Sequence, residues 1–292
     1  MTEIEKLKDG VYEKVMSRRF AEVLKEALAE DQVRAEEEDV DAEEAVGYLS
    51  SYLQRVIRLC LKDIADRDEE NSVDHQLALT NELIASLAKK TEELGGGQEV
   101  ANAPFLLRSL EHKKNTLLPR QWERPATSLT RSFLFTNSKK DVSMVHELTK
   151  EIASSDRIDF LISFIRFSGL QLLLPALRLF TARGGQLRIV TTTYMGATDP
   201  KAIEVLASLP HTEVRISYDV KETRLHAKSY MFYRESGYST AYIGSSNLSH
   251  AAIAEGMEWN MKVTAQDQPH IIDKMSATFE TYWHSEDFTS YE

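Results

Sequence analysis

A histidine and a lysine two residues apart, His226 and Lys228, stand in the run HAKSYMFY. In an extended strand both side chains leave by the same face, with Tyr230 beyond them. Two neighbouring cations repel, and an anion between them removes the repulsion. The next run, TAYIG, leads into Gly244-Ser245-Ser246-Asn247 and then LSHAAIA. The glycine permits a tight turn, the three polar side chains offer donors, and the start of a helix predicted at 248–254 carries unpaired N–H groups, so this corner suits a phosphate oxygen. Asn247 or Ser249 can instead be a plain helix cap. Glu258 opens a further strand, EWNMKVT, where it shares a face with Asn260. A carboxylate accepting the Nδ1 proton of His226 sets the tautomer and frees Nε2 as a nucleophile. The chemistry in view is attack on phosphorus. The plain alternative is a solvated strand, a glycine-serine turn and a capped helix.

Weaker candidates surround this set. Arg166 ends the strand run DFLISFIR, and ligands of such sheets gather outside the strand C-termini, so it is a substrate-binding candidate beside Ser245 and Ser246. An exposed salt-bridging arginine is the competing reading. Thr191, Thr192, Thr193 and Tyr194 end another strand run and are candidates of the same kind. His250 is a candidate proton donor, or else a packing histidine. Of the remaining histidines, His112 is followed directly by Lys113 and Lys114, and His75, His146, His211, His270 and His284 have no lysine two residues on.

These residues need a sheet to hold them. From residue 130 short β-branched and aromatic runs alternate with helical stretches: strands are predicted at 132–136, 157–165, 186–194, 213–219, 226–233, 240–245 and 258–264. Helices are predicted at 141–154, 169–183, 199–208, 248–254 and 269–284. Strand-helix-strand order implies parallel strands, and the short later connections imply antiparallel ones, so the second half is α/β with a mixed β-sheet flanked by helices. The first half differs. Apolar residues there recur at three- and four-residue spacing in 11–28, 43–64 and 75–90, the pattern of amphipathic helices. An all-helical N-terminal domain over 1–125 and an α/β domain over 126–292 are expected, with Gly95-Gly96-Gly97 a connector and the boundary near 118–130, bracketed by Pro119 and Pro125.

Composition trims the possible functions. The formal charge of −11 over 292 residues argues against a uniformly basic surface. Ten acidic residues against one basic between Glu26 and Glu44 account for most of it, and residues 131–292, with 17 basic and 19 acidic, leave room for a local basic groove. The acidic run is a solvated segment, or a partner-binding one that competes with a phosphate. Cys60, the single cysteine, cannot form an internal disulfide; in VIRLCLKDI a helix is expected to bury it. No apolar run approaches the roughly 18 residues of a spanning helix and MTEIEKLKDG is too charged for a signal peptide, so a soluble, cytoplasmic protein off the membrane is expected. The chain has no G-x-x-x-x-G-K-[ST] loop and hence no ATPase motor of that type.

The set His226-x-Lys228, Gly244-Ser-Ser-Asn247 and Glu258 resembles the half-site of the phospholipase D superfamily, the HKD motif, in the short form of its nuclease members. Together with SFIRFSGL at 163–170, residues 130 to 285 are similar to the phospholipase-D-like domain at the N-terminus of certain bacterial superfamily 2 helicases. One position departs: the family aspartate five residues after the lysine is Tyr233 here, which weighs against lipid transphosphatidylation more than against phosphodiester hydrolysis. The resemblance implies a phosphohistidine at His226, with Lys228 and Asn247 on the non-bridging oxygens and Glu258 behind the nucleophile. It implies no metal and no cofactor, a nucleic-acid substrate with DNA favoured over RNA, and a fused or associated helicase. Because one H-x-K occurs in residues 126–292, the second histidine is expected from a homodimer partner. The rival is a nucleic-acid-binding and dimerisation module of the same fold that does not cleave. The close of the chain soon after the last predicted helix fits either an excised region of a longer protein or a stand-alone form.

Overall fold

Strand runs such as RIDFLI, apolar at successive positions, belong in a sheet covered on both faces, and the computed structural model builds one. Described are residues 7, 10–67, 70–93, 97–101, 106–110, 123–136, 138, 142–219 and 225–291. The chain divides into two compact units, Met1–Arg108 and Ser109–Glu292. The boundary expected near 118–130 falls partly on residues 111–122, outside those described, as do His112, Pro119, Gly95 and Gly96.

The first unit contains three helices, α1 (Arg18–Ala29), α2 (Ala42–Arg67) and α3 (Ser72–Ala88). Ser17 caps α1 by accepting from the Phe20 N–H. The acidic stretch from Arg34 to Glu44 is exposed throughout. Cys60 is also exposed, a correction to its expected burial. The reason is the thinness of the helical layer: α2 packs on α3 but buries none of its residues completely, so Val46, Leu49, Leu53, Val56 and Cys60 form a stripe at three- and four-residue spacing left open to solvent.

The second unit holds an eight-stranded mixed sheet. Its elements are β1 (Phe133–Phe135), α4 (Met144–Ser154), β2 (Arg157–Ile162), α5 (Phe167–Ala182), β3 (Gln186–Thr192), α6 (Pro200–Ala207), β4 (Thr212–Ser217), β5 (Lys228–Tyr233), β6 (Thr240–Gly244), β7 (Asn260–Thr264), α7 (Pro269–Trp283) and β8 (Thr289–Ser290). Strand order is β1-β7-β6-β5-β2-β3-β4-β8. β2, β3 and β4 are parallel, joined by α5 and α6; every other pairing is antiparallel.

The pleat sorts two cores. Ile158, Phe160, Ile162, Tyr230, Phe232 and Tyr242 pack against α4 and α5 on one face. Leu161, Val190, Met231, Ala241 and Val263 pack against Phe279 and Trp283 of α7 on the other. Arg188 on β3 fastens α7 to the sheet: its guanidinium donates to Asp159 at 2.7 and 2.8 Å and to Glu280 of α7 at 2.6 Å, while lying over the rings of Phe279 and Trp283. Burial works against its charge, but the two carboxylates outweigh burial and hold it protonated.

One predicted element changes character. The helix expected at 248–254 is a single π-helical turn, Ala251–Glu255, because the chain from Leu248 to Ser249 is tied into the sheet instead of being free to wind. Five residues build no useful macrodipole, so no helix N-terminus faces the corner.

Candidate functional site

The residues with chemistry gather where β5 begins, beside the C-terminal ends of β2 and β3. Ile162 pairs with Lys228, and Gly244 pairs with Asn260. Carried past the strand ends, the same registers align His226 with Ser246 and Ser246 with Glu258. His226, the Gly244–Asn247 corner and Glu258 therefore lie along one edge of the sheet.

His226 is exposed and its ring meets that of Phe164 edge-on at 6.3 Å. Lys228 is buried, and its Nζ donates to the His226 carbonyl at 2.8 Å while standing 3.1 Å from Nδ1 and 3.3 Å from Nε2 of the same residue. A neutral imidazole tolerates this by accepting an N–H at the nitrogen that lacks its proton. Burial pulls the Lys228 ammonium below the ordinary lysine range, and the carboxylate of Glu258 opposes that pull. Glu258 is partly buried and makes no hydrogen bond to a described residue; its charge is felt at Lys228 and at Tyr230, whose hydroxyl burial pushes up. In this geometry Lys228, not Glu258, touches the imidazole.

Asn247 does not cap the following turn. Its Oδ1 accepts from the Phe164 N–H at 3.2 Å, and Ser249 Oγ takes the capping role by accepting from the Ala252 N–H at 3.2 Å. The corner is laced to the segment after β2: Leu248 N–H donates to Phe164 O, Arg166 N–H to Leu248 O, and Ser163 Oγ to Ala227 O at 2.9 Å. The match of SFIR to the corner is thus a set of backbone bonds between the two stretches. Gly169 makes the approach possible, since a Cβ there would stand 2.5 Å from the Ser249 backbone.

The proposed substrate-binding residues separate. Ser245 is exposed, its hydroxyl accepting from Trp259 N–H at 3.1 Å. Ser246 is buried, its hydroxyl accepting from Asn260 Nδ2 at 2.7 Å and donating toward Ala252 O, so its side chain is a strut under the corner. Arg166 pairs with Asp199 at 2.8 Å. Asp199 also accepts from Phe167 N–H at 2.9 Å at the start of α5; that bond and the arginine hold its carboxyl below the usual range. Thr191 and Thr192 direct their hydroxyls to the carbonyls of Ser163 and Ser217. His250 is half-buried beside the π turn.

Tyr233 closes the far end of β5, five residues or roughly 16 Å from Lys228 at strand rise. There Arg157 lies over its ring at 3.9 Å. The position that departs from the family pattern is therefore remote from the imidazole.

Two residues outside the predicted set share the cleft of His226 and Lys228: His270 and Lys274 on α7. Their four-residue separation, which puts both on one helical face, was a legible signal. A search confined to lysines two residues after a histidine passes over it. Among the described residues no group of three or more His, Cys, Asp or Glu side chains forms a metal-ligating cluster, and no helix is long and apolar enough to cross a membrane.

Residues 148–283 match the family model described as "Cardiolipin synthase, PLD-like domain". Among solved structures the chain is similar to NucT from Helicobacter pylori, with TM-score 0.44 and 19% identity over 55% of this chain and 99% of that one. It is also similar to Nuc from Salmonella typhimurium, a phospholipase D family member, with TM-score 0.41 and 18% identity over 56% and 97%. Yeast tyrosyl-DNA phosphodiesterase aligns with TM-score 0.31 and 12% identity over 45% and 31%. A search of curated proteins finds no match.

Proposed function

We propose that the second unit is a phosphodiesterase whose nucleophile is His226, cleaving nucleic acid, DNA in preference to RNA. The observation that carries this is the joining of His226 and Lys228 with the Gly244–Asn247 corner and Glu258 along one sheet edge, within the stretch that matches a PLD-like domain.

His226 Nε2 attacks phosphorus, forming a P–N bond as the P–O bond to the leaving group breaks. Lys228 and the corner around Asn247 bear the charge that grows on the non-bridging oxygens. A second imidazole protonates the leaving oxygen. It then takes a proton from water as the water oxygen attacks phosphorus and the P–N bond breaks, restoring His226. Residues 126–292 offer one H-x-K, so the second imidazole is His226 of another copy across a two-fold axis. Phosphate entering between His226 and Lys228 displaces the direct Nζ–imidazole contact and leaves Nδ1 to Glu258. The remoteness of Tyr233 supports retained hydrolysis. A fused or associated helicase rests on the resemblance alone, and DNA repair or defence is the setting that such a module would suit.

The test is single-turnover cleavage of end-labelled single- and double-stranded DNA and RNA in EDTA, with His226→Ala in parallel and the mass of both proteins measured by light scattering. Wild-type cleavage, abolished in His226→Ala, by a species of twice the chain mass is expected. Binding without any cleavage by the wild type would leave the non-cleaving binding and dimerisation module as the reading. A strict monomer that cleaves would remove the shared site.

A further inference from the structure

α7 covers the face of the sheet away from α4 and α5, and between it and strands β5 and β6 lies a cleft of about 530 Å³. That volume falls within the range of sites for small ligands. His226 and Lys228 line it, and so do His270 and Lys274, one turn apart on α7. Both α7 side chains are exposed. The rest of the lining is largely apolar, with Ile271, Met275 and Tyr282 on the helix side.

One buried polar atom in the lining lacks a partner among the described residues. Ser229 is 6% exposed, and its Oγ forms no hydrogen bond to any described residue. A hydroxyl buried in a built core normally finds a partner, and an orphan beside an open cleft marks where a ligand atom would supply one. Cations next to an apolar wall with an aromatic ring are the pattern that holds single-stranded nucleic acid: the ring meets a base, and the cations meet the backbone. An acyl chain would leave the His270 ring N–H, the Lys274 ammonium and the Ser229 hydroxyl without use.

We propose that this cleft is a nucleotide subsite. It receives the nucleoside that adjoins the reacting phosphate, its base against Met275 and Tyr282, Ser229 bonding to the sugar or base, and the neighbouring phosphate between His270 and Lys274. The inference rests on the phosphodiesterase reading of His226 and narrows its substrate to a strand with at least two phosphates.

The probe is a fluorescently labelled dithymidine with one internal phosphodiester, compared with the same molecule carrying a 5′- or a 3′-terminal phosphate. Binding to the full chain is followed by anisotropy under His226→Ala to prevent turnover. One of the two terminal phosphates is expected to tighten binding about tenfold, the increment of one charge-assisted contact. His270→Ala and Lys274→Ala should each erase that gain while binding the unphosphorylated dinucleotide as before, and Lys274→Arg should keep it. The subsite is overturned if neither terminal phosphate helps, or if the gain survives both alanine variants. Hydrolysis of bis(p-nitrophenyl) phosphate, which has no second phosphate, reports separately on His226 chemistry: its absence in the wild type would defeat the catalytic reading and leave the binding increment as evidence for the subsite.

Discussion

Lys228 is asked to be both buried and charged. Burial lowers its affinity for a proton, and the Glu258 carboxylate restores only part of it. In the proposed mechanism the protonated form holds a phosphate oxygen, so kcat/KM should be full at neutral pH and fall as pH rises through a value below the ordinary lysine range. Folding moves the other way. A lysine whose folded affinity is depressed costs stability while protonated, and that cost is relieved as pH rises, so unfolding on its account does not explain an alkaline loss. Lys228→Met should remove this limb and lower kcat by about 10²–10³-fold, the usual loss of one charge-stabilising donor. A pH–rate profile flat into the ordinary lysine range would count against the assignment. The His-x-Lys pair was legible because it is local: two residues on one strand share a face whatever surrounds them. The lysine contact to both ring nitrogens was not, since it depends on how far burial bends the ammonium back toward the imidazole.

Elements meet at the site through small residues and backbone bonds. Gly169, in the first turn of α5, admits the Leu248–Ser249 backbone so that Asn247 can reach Phe164. Gly169→Ala should force these segments apart. A stability loss of about 1–3 kcal/mol is expected from overpacking, and kcat should fall about tenfold or more because a displaced corner misplaces its donors. Urea unfolding together with single-turnover rates separates the two effects; an alanine variant with unchanged rate would show that the corner does not depend on this approach. From the sequence, Gly169 is one residue of SFIRFSGL within a predicted helix. Its need for closeness comes from a segment some eighty residues away. The corner's expected helix failed for the same reason, since the pairing of Ile165 with Leu248 holds the chain extended where local propensity favours winding.

Across the molecule, charge is distributed by depth. The acidic excess near Glu36–Glu44 lies in solvent, whereas the second unit buries a network in which Glu151 of α4 meets Arg234 at 2.5 Å and Lys262 at 2.8 Å, with Tyr242 donating at 2.8 Å. Burial pushes the Glu151 carboxyl up, but Arg234 and Lys262 outweigh burial and hold it below the usual carboxylate range. Its stabilising contribution is therefore present above that range and is lost as pH falls through the folded value. Urea midpoints should drop between neutral pH and pH about 3, and Glu151→Gln should flatten part of that drop. Arg234→Ala should cost about 3–5 kcal/mol at neutral pH, the usual penalty for stripping one partner from a buried ion pair. A loss below about 1 kcal/mol would mean that water replaces the guanidinium.

The sequence by itself determined the mixed α/β character of residues 130 to 285 and the helical first half, and it singled out His226, Lys228, Asn247 and Glu258 as candidates. Periodicity and short-range spacing are properties of neighbours along the chain. Only the tertiary structure decided that Ser246 is a strut, that Arg166 is bound by Asp199, that Cys60 is exposed and that α7 brings His270 and Lys274 to the cleft of His226. Each depends on which elements become neighbours in space, and strand order and helix docking set that through contacts distant in sequence.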